Sequence, residues 1–179
     1  LHVVEVLVPG KTMITSEILG IPIQHDLLGF FQVNVPVFEH ALLTIQEAVS
    51  GSGDVVDCYG GVGAISIPLH QTIRHCLIID SNAAAIEAAS ANIQNLQLSH
   101  YAARCVAAEH VLEVFSADQT VMLDPPRAGL HDDVTARLLT VRPKRIVYLS
   151  CNLSTQARDV ERLLPGYSIE KTALFNFFP

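Results

Sequence analysis

The sequence predicts an α/β protein with a mostly parallel sheet and helices on both faces. Half of the residues are hydrophobic and only 16% are charged, which is the composition of a packed globular chain. Short apolar runs alternate with segments of helical spacing, and buried parallel strands joined by crossover helices have this pattern. The five runs that predict strands are 55–59, 76–80, a weaker 102–107, 120–124 and 145–150.

Helices complete the pattern. Residues 35–49 repeat apolar positions at about the helical period of 3.6, and Asn34 is in position to cap this helix. Pro36 falls in the first turn, where proline is tolerated. The same spacing predicts a helix at 65–71 with Pro68 in its first turn, a clear helix at 81–96 capped by Ser81 or Asn82, helices at 131–140 and 153–164, and an alternating late strand at 167–175.

The chain divides into two segments. Residues 1–33 are rich in Val, Ile and Leu, with turn signals at Pro9-Gly10, Gly20 and Gly29, and they predict short strands. We interpret them as a short β-rich leading segment, the remnant of a preceding domain, before a main domain at 34–179. Because the chain begins with Leu1 rather than Met, we expect it to have been cut from a longer protein.

Charge and hydropathy exclude several classes of protein. The net charge of −7 argues against a chain that binds RNA by charge alone, so a basic surface would be local or belong to a missing domain. The apolar runs fall short of the roughly 18 residues that span a bilayer. The first residues do not have the pattern of a secretory leader. We therefore expect a soluble, cytoplasmic protein with reduced thiols.

Metal chemistry has little support in the sequence. The cysteines Cys58, Cys76, Cys105 and Cys151 are widely separated and form no C-x-x-C pair. The eight histidines show no metal-binding spacing. We expect no metal and no obligate protein partner, and the sequence does not indicate an oligomeric state.

A glycine-rich turn follows the strand predicted at 55–59. The segment is DCYGGVGA, and its glycines Gly60, Gly61 and Gly63 let the backbone turn sharply and approach a ligand closely. Asp80 ends the next apolar run, where a carboxylate can accept hydrogen bonds from ribose hydroxyls. The alternatives are a simple tight turn and a partner for a helix cap. The combination favours an adenosine-containing cofactor but does not separate NAD from S-adenosylmethionine.

A stiff loop follows the strand predicted at 120–124. In LDPPRAG, Pro125 and Pro126 cannot continue the strand ladder, and each restricts the residue before it. The loop therefore holds Asp124 and its neighbouring carbonyls in one orientation that suits a planar base, although a rigid turn capped by Asp124 is the alternative. Arg127 stands where amino-methylating enzymes with a related Asp-Pro-Pro motif have an aromatic residue, which counts against attack by an exocyclic amine.

A cysteine follows the last apolar run, in the segment LSCN just before the helix predicted from residue 153. The positive end of the helix dipole favours a thiolate at Cys151, and Arg158 could add positive charge. Most single cysteines are small buried hydrophobes, but this one shares the carboxyl edge of the sheet with the loop of Asp124. We therefore predict that Cys151 is a nucleophile.

Polar amides interrupt the apolar segment FFQVN at residues 30–34. Gln32 and Asn34 need hydrogen-bond partners if they are buried, and Phe30 and Phe31 could stack on a base. Taken alone, the segment favours core aromatics with a helix cap at Asn34.

Together these motifs resemble the RNA 5-methyluridine methyltransferase family. The similarity runs from about Phe30 to the last residue, through FFQVN, DCYGGVG, LDPPRAG, YLSCN-x-x-T-x-ARD and FNFFP in that order. The resemblance implies a Rossmann-like methyltransferase domain at 34–179 that uses S-adenosylmethionine. It also implies methyl transfer to C5 of a uridine in transfer or ribosomal RNA, which makes RNA the partner.

The resemblance further implies roles for individual residues. Cys151 matches the nucleophile that attacks C6 of the uracil, and Phe30 matches a position in the pocket of the extruded base. Arg127 and Asn152 are additional candidates for substrate contact. The candidates for cofactor binding combine matched positions with the glycine turn, and they are Gln32, Tyr59, Gly61, Gly63, Ala64 through its backbone, Asp80 and Asp124.

The chain departs from the family pattern at positions that bear on activity. Leu153 replaces the proline that usually follows Cys-Asn, and Ala107 stands where an Asp or Asn often contacts adenine. The family's general base is a Glu a few residues beyond a Phe-Pro pair, and Phe178-Pro179 ends this chain. We therefore expect the base and a last strand to be missing, and turnover by this chain to be weak.

Two other functions remain open at this point. A related methyltransferase could act on an RNA cytosine or a small molecule, although cytosine-5 enzymes have loop motifs that differ from LDPPRAG. A non-catalytic module that binds cofactor or RNA would fit the acidic charge and the missing base.

Overall fold

The computed structural model describes residues 13–27, 29, 31–32 and 34–177. Phe30, which the sequence assigns to the base pocket, lies outside the described residues, as do Phe178-Pro179 and the first part of the leading segment. Within the described ranges, no helix is both long enough and apolar enough to cross a membrane.

Seven strands and four α-helices make up the described residues, most of them within a few residues of the predicted bounds. A pair of short 3₁₀ turns precedes the sixth strand. In chain order the elements are β1 (Met13–Ile18), β2 (Ile21–Asp26), α1 (Val35–Val49), β3 (Asp54–Cys58), β4 (His75–Asp80), α2 (Ala83–Asn95), β5 (Tyr101–Cys105), β6 (Thr120–Leu123), α3 (Asp132–Val141), β7 (Arg145–Tyr148) and α4 (Leu153–Leu163).

A five-stranded sheet forms the centre of the molecule, in the order β5-β4-β3-β6-β7. Every neighbouring pair of strands is parallel. The register sets Cys58 of the central strand opposite Ile79 on one side and Leu123 on the other. On the next strand, Tyr148 pairs with Leu123. This confirms the parallel sheet that the apolar runs predict.

Helices cover both faces of this sheet. Because alternate strand residues point to opposite faces, neighbouring residues of β3 join different apolar clusters. Val55 belongs to the cluster that contains Leu42 of α1, whereas Val56 belongs to the cluster that contains Val134 of α3. Helix α2 joins the first cluster and α4 joins the second. The predicted arrangement of helices is therefore confirmed.

An antiparallel hairpin of β1 and β2 packs on α2. A tight turn at Leu19 and Gly20, both with positive φ, joins its strands. Asn92 of α2 is 1% exposed, and its Oδ1 accepts a hydrogen bond from the Gln24 N–H at 2.8 Å. Its Nδ2 donates to the carbonyl oxygens of Gln24 at 3.0 Å and Val62 at 3.2 Å. One buried amide therefore ties the hairpin to the helix and to the glycine-rich turn.

The helix predicted at 65–71 is wrong, because this segment forms a series of hydrogen-bonded turns. Pro68 has no N–H group, so it cannot make the hydrogen bond to the fourth residue before it that a helix requires. The N–H groups that follow bond over three residues instead, as when Leu69 donates to Ser66 O at 3.2 Å.

The strand predicted at 167–175 is also wrong, since the segment has no ladder partner among the described residues. Alternating side chains form a strand only where a neighbouring strand offers its backbone. Side chains attach the segment instead. Lys171 Nζ lies 2.7 Å from Glu47 Oε2 of α1, and Asn34 Nδ2 donates to the Phe177 carbonyl at 3.1 Å. Asn34 also caps α1 as predicted, since its Oδ1 accepts a hydrogen bond from the N–H of Val37, the third residue of the helix.

Replacing Asn92 by Ala should lower the free energy of unfolding by about 2–4 kcal/mol. The change leaves backbone groups of Gln24 and Val62 buried without their partners, which costs about 1–3 kcal/mol for each group. Urea unfolding monitored by circular dichroism measures the difference. Asn95→Ala, at the exposed end of the same helix, is the matched control and should change the free energy by less than about 0.5 kcal/mol. Equal losses in the two variants would contradict the role of Asn92.

Candidate functional site

The segments that the sequence singles out meet at the carboxyl edge of the sheet. Backbone hydrogen bonds continue the ladder just past the strand ends. The Asp124 N–H donates to Cys58 O at 3.3 Å, and the Leu149 N–H donates to Leu123 O at 2.8 Å. The glycine turn, the double-proline loop and the segment of the cysteine therefore lie side by side, as expected at the carboxyl ends of parallel strands.

The glycine-rich turn uses the left-handed region of the backbone. Gly61 has a φ of 54°, and Tyr59 has a φ of 62°, which is uncommon for a residue with a side chain. A Cβ on Gly61 would meet no heavy atom within 4 Å, so the space in front of this residue is open. The turn therefore presents its backbone to the edge of the sheet without covering it.

Two further glycines pack against the interior behind the turn. A Cβ on Gly60 would lie 2.8 Å from the Cγ of Asp57, and one on Gly63 would lie 2.5 Å from the Cδ1 of Ile67. Side chains at these positions would push the turn away from the sheet. Gly63 therefore shapes the turn from its buried side.

Asp80 ends β4 and braces the glycine turn. Its Oδ2 accepts a hydrogen bond from the Gly61 N–H at 3.0 Å, and its Oδ1 accepts from the Asn82 N–H at 2.8 Å. Asn82 in turn caps α2, since its Oδ1 accepts from the Ala85 N–H at 3.2 Å. The carboxylate is only partly buried, and each oxygen has a second lone pair that can accept from a hydroxyl.

A cleft opens between the glycine turn and the segment before α1. Phe31 is part of the lining, and its ring is stacked on the His25 ring with the ring centroids 3.7 Å apart. Asp80 and Gly63 are not part of the lining. The predicted cofactor-binding residues that line the cleft are Gln32, Tyr59, Gly61, Ala64 and Asp124.

Asp124 is the residue of this cleft whose carboxyl pKa differs from its usual value. Burial, and to a smaller extent the negative charge of Asp80, together raise its pKa to about 6. A carboxyl with this pKa changes its charge close to neutral pH. A cation in the cleft would stabilise the ionised form.

Sequence reasoning missed Asp57, a fully buried acid of β3. Its Oδ2 accepts a hydrogen bond from the Ser66 hydroxyl at 2.5 Å, while its Oδ1 has no hydrogen-bond partner in the described structure. Burial raises its pKa to about 7 against the opposing effect of the Ser66 hydrogen bond, and the charges of Asp124 and Asp80 contribute. The sequence does contain a sign of it, because in the run VVDCY one acid stands among apolar strand residues. Burying a carboxyl is unfavourable, so an acid at such a position indicates a specific role.

Cys151 is exposed between the end of β7 and the start of α4. Asn152 caps the helix, since its Oδ1 accepts from the Ser154 N–H at 3.1 Å, so the cysteine directly precedes the helix N-terminus. Cys105, at the end of β5, is exposed as well. The remaining two cysteines are buried, and burial raises the pKa of each thiol. The thiol predicted to be a nucleophile is therefore open to solvent.

The two candidates for substrate contact are joined to each other. Asn152 Nδ2 donates to the Arg127 carbonyl at 3.2 Å, so the side chain that caps α4 also holds the double-proline loop. The Arg127 side chain is exposed at the same edge. Within the described ranges, no group of three or more His, Cys, Asp or Glu side chains could hold a metal ion.

The fold and the site define a Rossmann-like methyltransferase domain, in which the site occupies the carboxyl edge of a parallel sheet. Residues 102–179 match the family model described as tRNA (Uracil-5-)-methyltransferase. The chain belongs to this family, as its motifs predict.

Relatives support the assignment along almost the whole chain. The tRNA (uracil(54)-C(5))-methyltransferase of Pyrococcus furiosus is 36% identical over 95% of this chain and 40% of its own length. An uncharacterised RNA methyltransferase of Lactococcus lactis is 34% identical over 97% of this chain and 39% of its own length. The chain therefore spans 39–40% of the length of these relatives.

Solved structures agree with the fold. Pyrococcus abyssi tRNA (uracil-54, C5)-methyltransferase, solved in complex with S-adenosyl-L-homocysteine, superposes with a TM-score of 0.85 at 31% identity. The match covers 95% of this chain and 42% of that protein. The M. jannaschii tRNA m1G37 methyltransferase superposes with a TM-score of 0.59 at 21% identity, over 86% of this chain and 48% of its own, and shares the fold alone.

The buried Asp57 predicts that stability falls as the pH rises. Its folded pKa of about 7 lies above the unfolded value of about 3.9, so the folded state binds more protons between these values. The contribution of this group to stability is complete below about pH 4 and is lost as the pH rises through about 7, by on the order of 2–4 kcal/mol. Asp57→Asn should remove this loss.

Urea unfolding of wild type and Asp57→Asn at about pH 5 and about pH 8 measures the effect as a difference between the two proteins. Asp118→Asn, which changes an exposed acid, is the control and should keep the wild-type slope. Parallel slopes for wild type and Asp57→Asn would show that the Asp57 carboxyl does not titrate in this range.

Proposed function

We propose that this chain is the catalytic part of an enzyme that transfers a methyl group from S-adenosylmethionine to C5 of a uridine in RNA, with Cys151 as nucleophile. The observation that carries the proposal is the exposed Cys151 thiol at the start of α4, on the sheet edge that also holds the cleft of Asp124. The names of the two Pyrococcus relatives favour a transfer RNA as substrate.

The proposal extends to the organisation and setting of the enzyme. Residues 34–179 are the methyltransferase unit, and residues 1–33 are a leading segment whose described part contains the hairpin of β1 and β2. The nucleophile must be a free thiol, which favours the reducing conditions of the cytoplasm. All four cysteines are unpaired, which is consistent with that setting.

The cleft suits S-adenosylmethionine in shape and charge. The open space in front of Gly61 leaves room for a ligand close to the backbone, and Asp80 can accept hydrogen bonds from ribose hydroxyls. Asp124 offers a carboxyl to a cationic group. Among the described residues that line the cleft there is no basic side chain, and residues 61–72 at and after the glycine turn form no regular helix. Both features suit a ligand with a sulfonium and an ammonium better than the pyrophosphate of NAD.

C5 of uracil is a poor nucleophile, and addition of a thiolate to the ring makes it a better one. S-adenosylmethionine, when bound, supplies an electrophilic methyl group. The Cys151 thiolate forms a bond to C6, and the C5=C6 electron pair moves towards O4 to give an enolate. C5 then bonds to the methyl carbon, while the pair of the old S–CH₃ bond stays on the donor sulfur.

Elimination completes the reaction and returns the thiol. A base removes the C5 proton, the released pair restores C5=C6, and the Cys151 thiolate leaves C6. The family pattern assigns the base to a Glu beyond Pro179. Because the thiol and the methyl donor approach different faces of the ring, the uridine must be flipped out of its stack.

Two side chains are assigned to the substrate. The family resemblance assigns Phe30 to the extruded base, and the exposed Arg127 contacts the RNA. Asn152 orients the nucleophile by linking the Arg127 carbonyl to the start of α4. The cofactor contacts are completed by Gln32, Tyr59, Gly61 and the backbone of Ala64, and Gly63 supports them by shaping the turn from its buried side.

Cofactor binding should strengthen as the pH rises through about 6. The pKa of Asp124 is raised to about 6 by burial and then by Asp80, and a cationic ligand binds the ionised carboxyl better than the neutral one. Calorimetry with S-adenosylmethionine should show a Kd about tenfold lower at about pH 8 than at about pH 5. Asp124→Asn should bind more weakly at the higher pH and lose this dependence, whereas the exposed-site control Asp118→Asn should keep it. A wild-type Kd that does not vary with pH would exclude this role.

A fluorinated substrate tests the nucleophile directly. In RNA that contains 5-fluorouridine, fluorine replaces the C5 proton, so the methylated adduct cannot eliminate and accumulates. With S-adenosylmethionine, the wild-type chain should form a complex with this RNA that survives denaturing electrophoresis. Cys151→Ser should reduce its yield at least about a hundredfold, because no thiolate is left to attack C6. Trapping precedes proton removal and therefore does not require the general base.

Cys105→Ser is the matched control, since it removes the other exposed thiol and should leave the yield unchanged. A complex that persists in Cys151→Ser would refute the assignment of the nucleophile. Trapping by 5-fluorocytidine RNA alone would identify a cytosine enzyme instead.

A further inference from the structure

Asp159 is a fully buried acid of α4 to which the proposed reaction gives no role. In the sequence it ends the motif YLSCN-x-x-T-x-ARD. Its Oδ2 accepts hydrogen bonds from the Tyr148 hydroxyl and from the Leu130 N–H, each at 2.8 Å. Its Oδ1 accepts from Nε and Nη2 of Arg158 at 2.9 and 2.7 Å. Four directed donors therefore converge on one carboxylate.

These partners belong to elements that meet at the nucleophile. Tyr148 is the last residue of β7, shortly before Cys151. Leu130 follows the double-proline loop that begins at Asp124. Asp159 itself lies in the helix that starts just after the cysteine. One carboxylate thus joins the strand before the thiol, the helix after it and the loop that borders the cleft.

The loop is shaped to receive this carboxylate. Gly129 has a φ of +85°, and a Cβ there would collide with Oδ2 of Asp159 and lie 2.5 Å from Nη2 of Arg158. The same Nη2 donates to the Ala128 carbonyl at 2.9 Å. A hydrogen bond from the Gly129 N–H to Pro126 O at 2.8 Å closes the turn. The glycine is therefore needed both for its backbone conformation and for the approach of the carboxylate.

We propose that Asp159 is a positioning residue that holds the Cys151 thiol at a fixed place relative to the Asp124 loop. The inference rests on the proposed function, because the geometry it protects is that of adduct formation. Displacing reacting groups by about 1 Å can slow a reaction about a hundredfold. A connection with several directed hydrogen bonds limits such displacement.

The chemistry of the network favours placement over stability as its role. Burying a carboxylate is unfavourable, and apolar side chains of similar volume often stabilise a core at least as well as a buried ion pair. Apolar contact, however, tolerates many relative positions. Each hydrogen bond to an ionised acceptor restricts a distance and an angle, so four of them select one arrangement of strand, helix and loop.

Asp159→Asn and Gly129→Ala disturb the network from its two sides. The asparagine turns an acceptor into a donor that faces other donors, and the alanine inserts a Cβ into the contact of the carboxylate with the loop. Both variants should slow formation of the 5-fluorouridine adduct at saturating RNA and cofactor by at least about tenfold. The Kd for S-adenosylmethionine should change by less than about threefold, because the cleft is left intact.

Two control variants separate placement from other effects. Asp118→Asn changes an exposed acid that lies away from α4 in the sequence, and it should leave the adduct rate unchanged. Ile45 belongs to the apolar cluster on the other face of the sheet, away from the hydrogen bonds of Asp159. Ile45→Ala should lower the melting temperature by leaving a cavity there, without changing those hydrogen bonds. The rates of adduct formation are compared at temperatures that lie the same number of degrees below the melting temperature of each variant. If Asp159→Asn does not fold, Tyr148→Phe removes a single hydrogen bond and should slow the reaction about threefold.

The outcomes distinguish this inference from the proposed function. No adduct with the wild-type protein overturns the function itself. A wild-type adduct with an equal rate in folded Asp159→Asn and Gly129→Ala overturns only the role of Asp159. The role is also overturned if Ile45→Ala slows the reaction as much as Asp159→Asn, or if cofactor affinity falls in step with the rate. Slow adduct formation with unchanged cofactor affinity supports the inference.

Discussion

The parallel pairing of β3 with a strand on each side is the constraint on which the site depends. Cys58, Ile79 and Leu123 lie in register across the sheet, and all three are fully buried. A slip of one residue would move apolar side chains to the wrong face. Burial therefore sets the register, and the register delivers the glycine turn, Asp80 and Asp124 to one edge. The chemistry of the site follows from the packing of the core.

Negative charge gathers at this edge, and the described lining of the cleft contains no basic side chain that would balance it. Asp57 is buried beneath the glycine turn, and the charges of Asp80 and Asp124 oppose its ionisation. The same charge of Asp80 acts on Asp124. Acids arranged in this way are unfavourable for stability, and such conflicts occur mainly where a ligand or a reaction requires them. A cationic ligand would relieve the conflict, which is why charge and shape support the same proposed cofactor.

The sequence predicts correctly those parts of the molecule whose structure is determined by residues close together in the chain. The helix after Asn34 was predicted correctly because cap and apolar spacing agree, whereas 65–71 fails as a helix because Pro68 withholds its donor. The glycine turn and Cys151 are likewise carried by local motifs. Asp57 and Asp159 were missed because their environment depends on partners outside their own elements, which are Ser66 for Asp57, and Tyr148 and Leu130 for Asp159. The sequence indicates both acids only indirectly. Asp57 is an acid within an apolar strand, and Asp159 is an acid on the buried face of α4.

The loop after β6 links the two halves of the site. Its first residue, Asp124, lines the cleft, and its far end at Gly129 receives Asp159 from the helix that follows the thiol. Between these ends, Pro125 and Pro126 each hold φ near about −65°, which removes most of the torsional freedom. In the proposed reaction the methyl donor and the thiol belong to different elements, so their separation is only as well defined as this connection. Hydrogen bonds at the far end would not define it if the chain between were flexible. In the proposed reaction, the stiffness of the prolines and the hydrogen bonds of Asp159 therefore act together to define the separation of the thiol and the methyl donor.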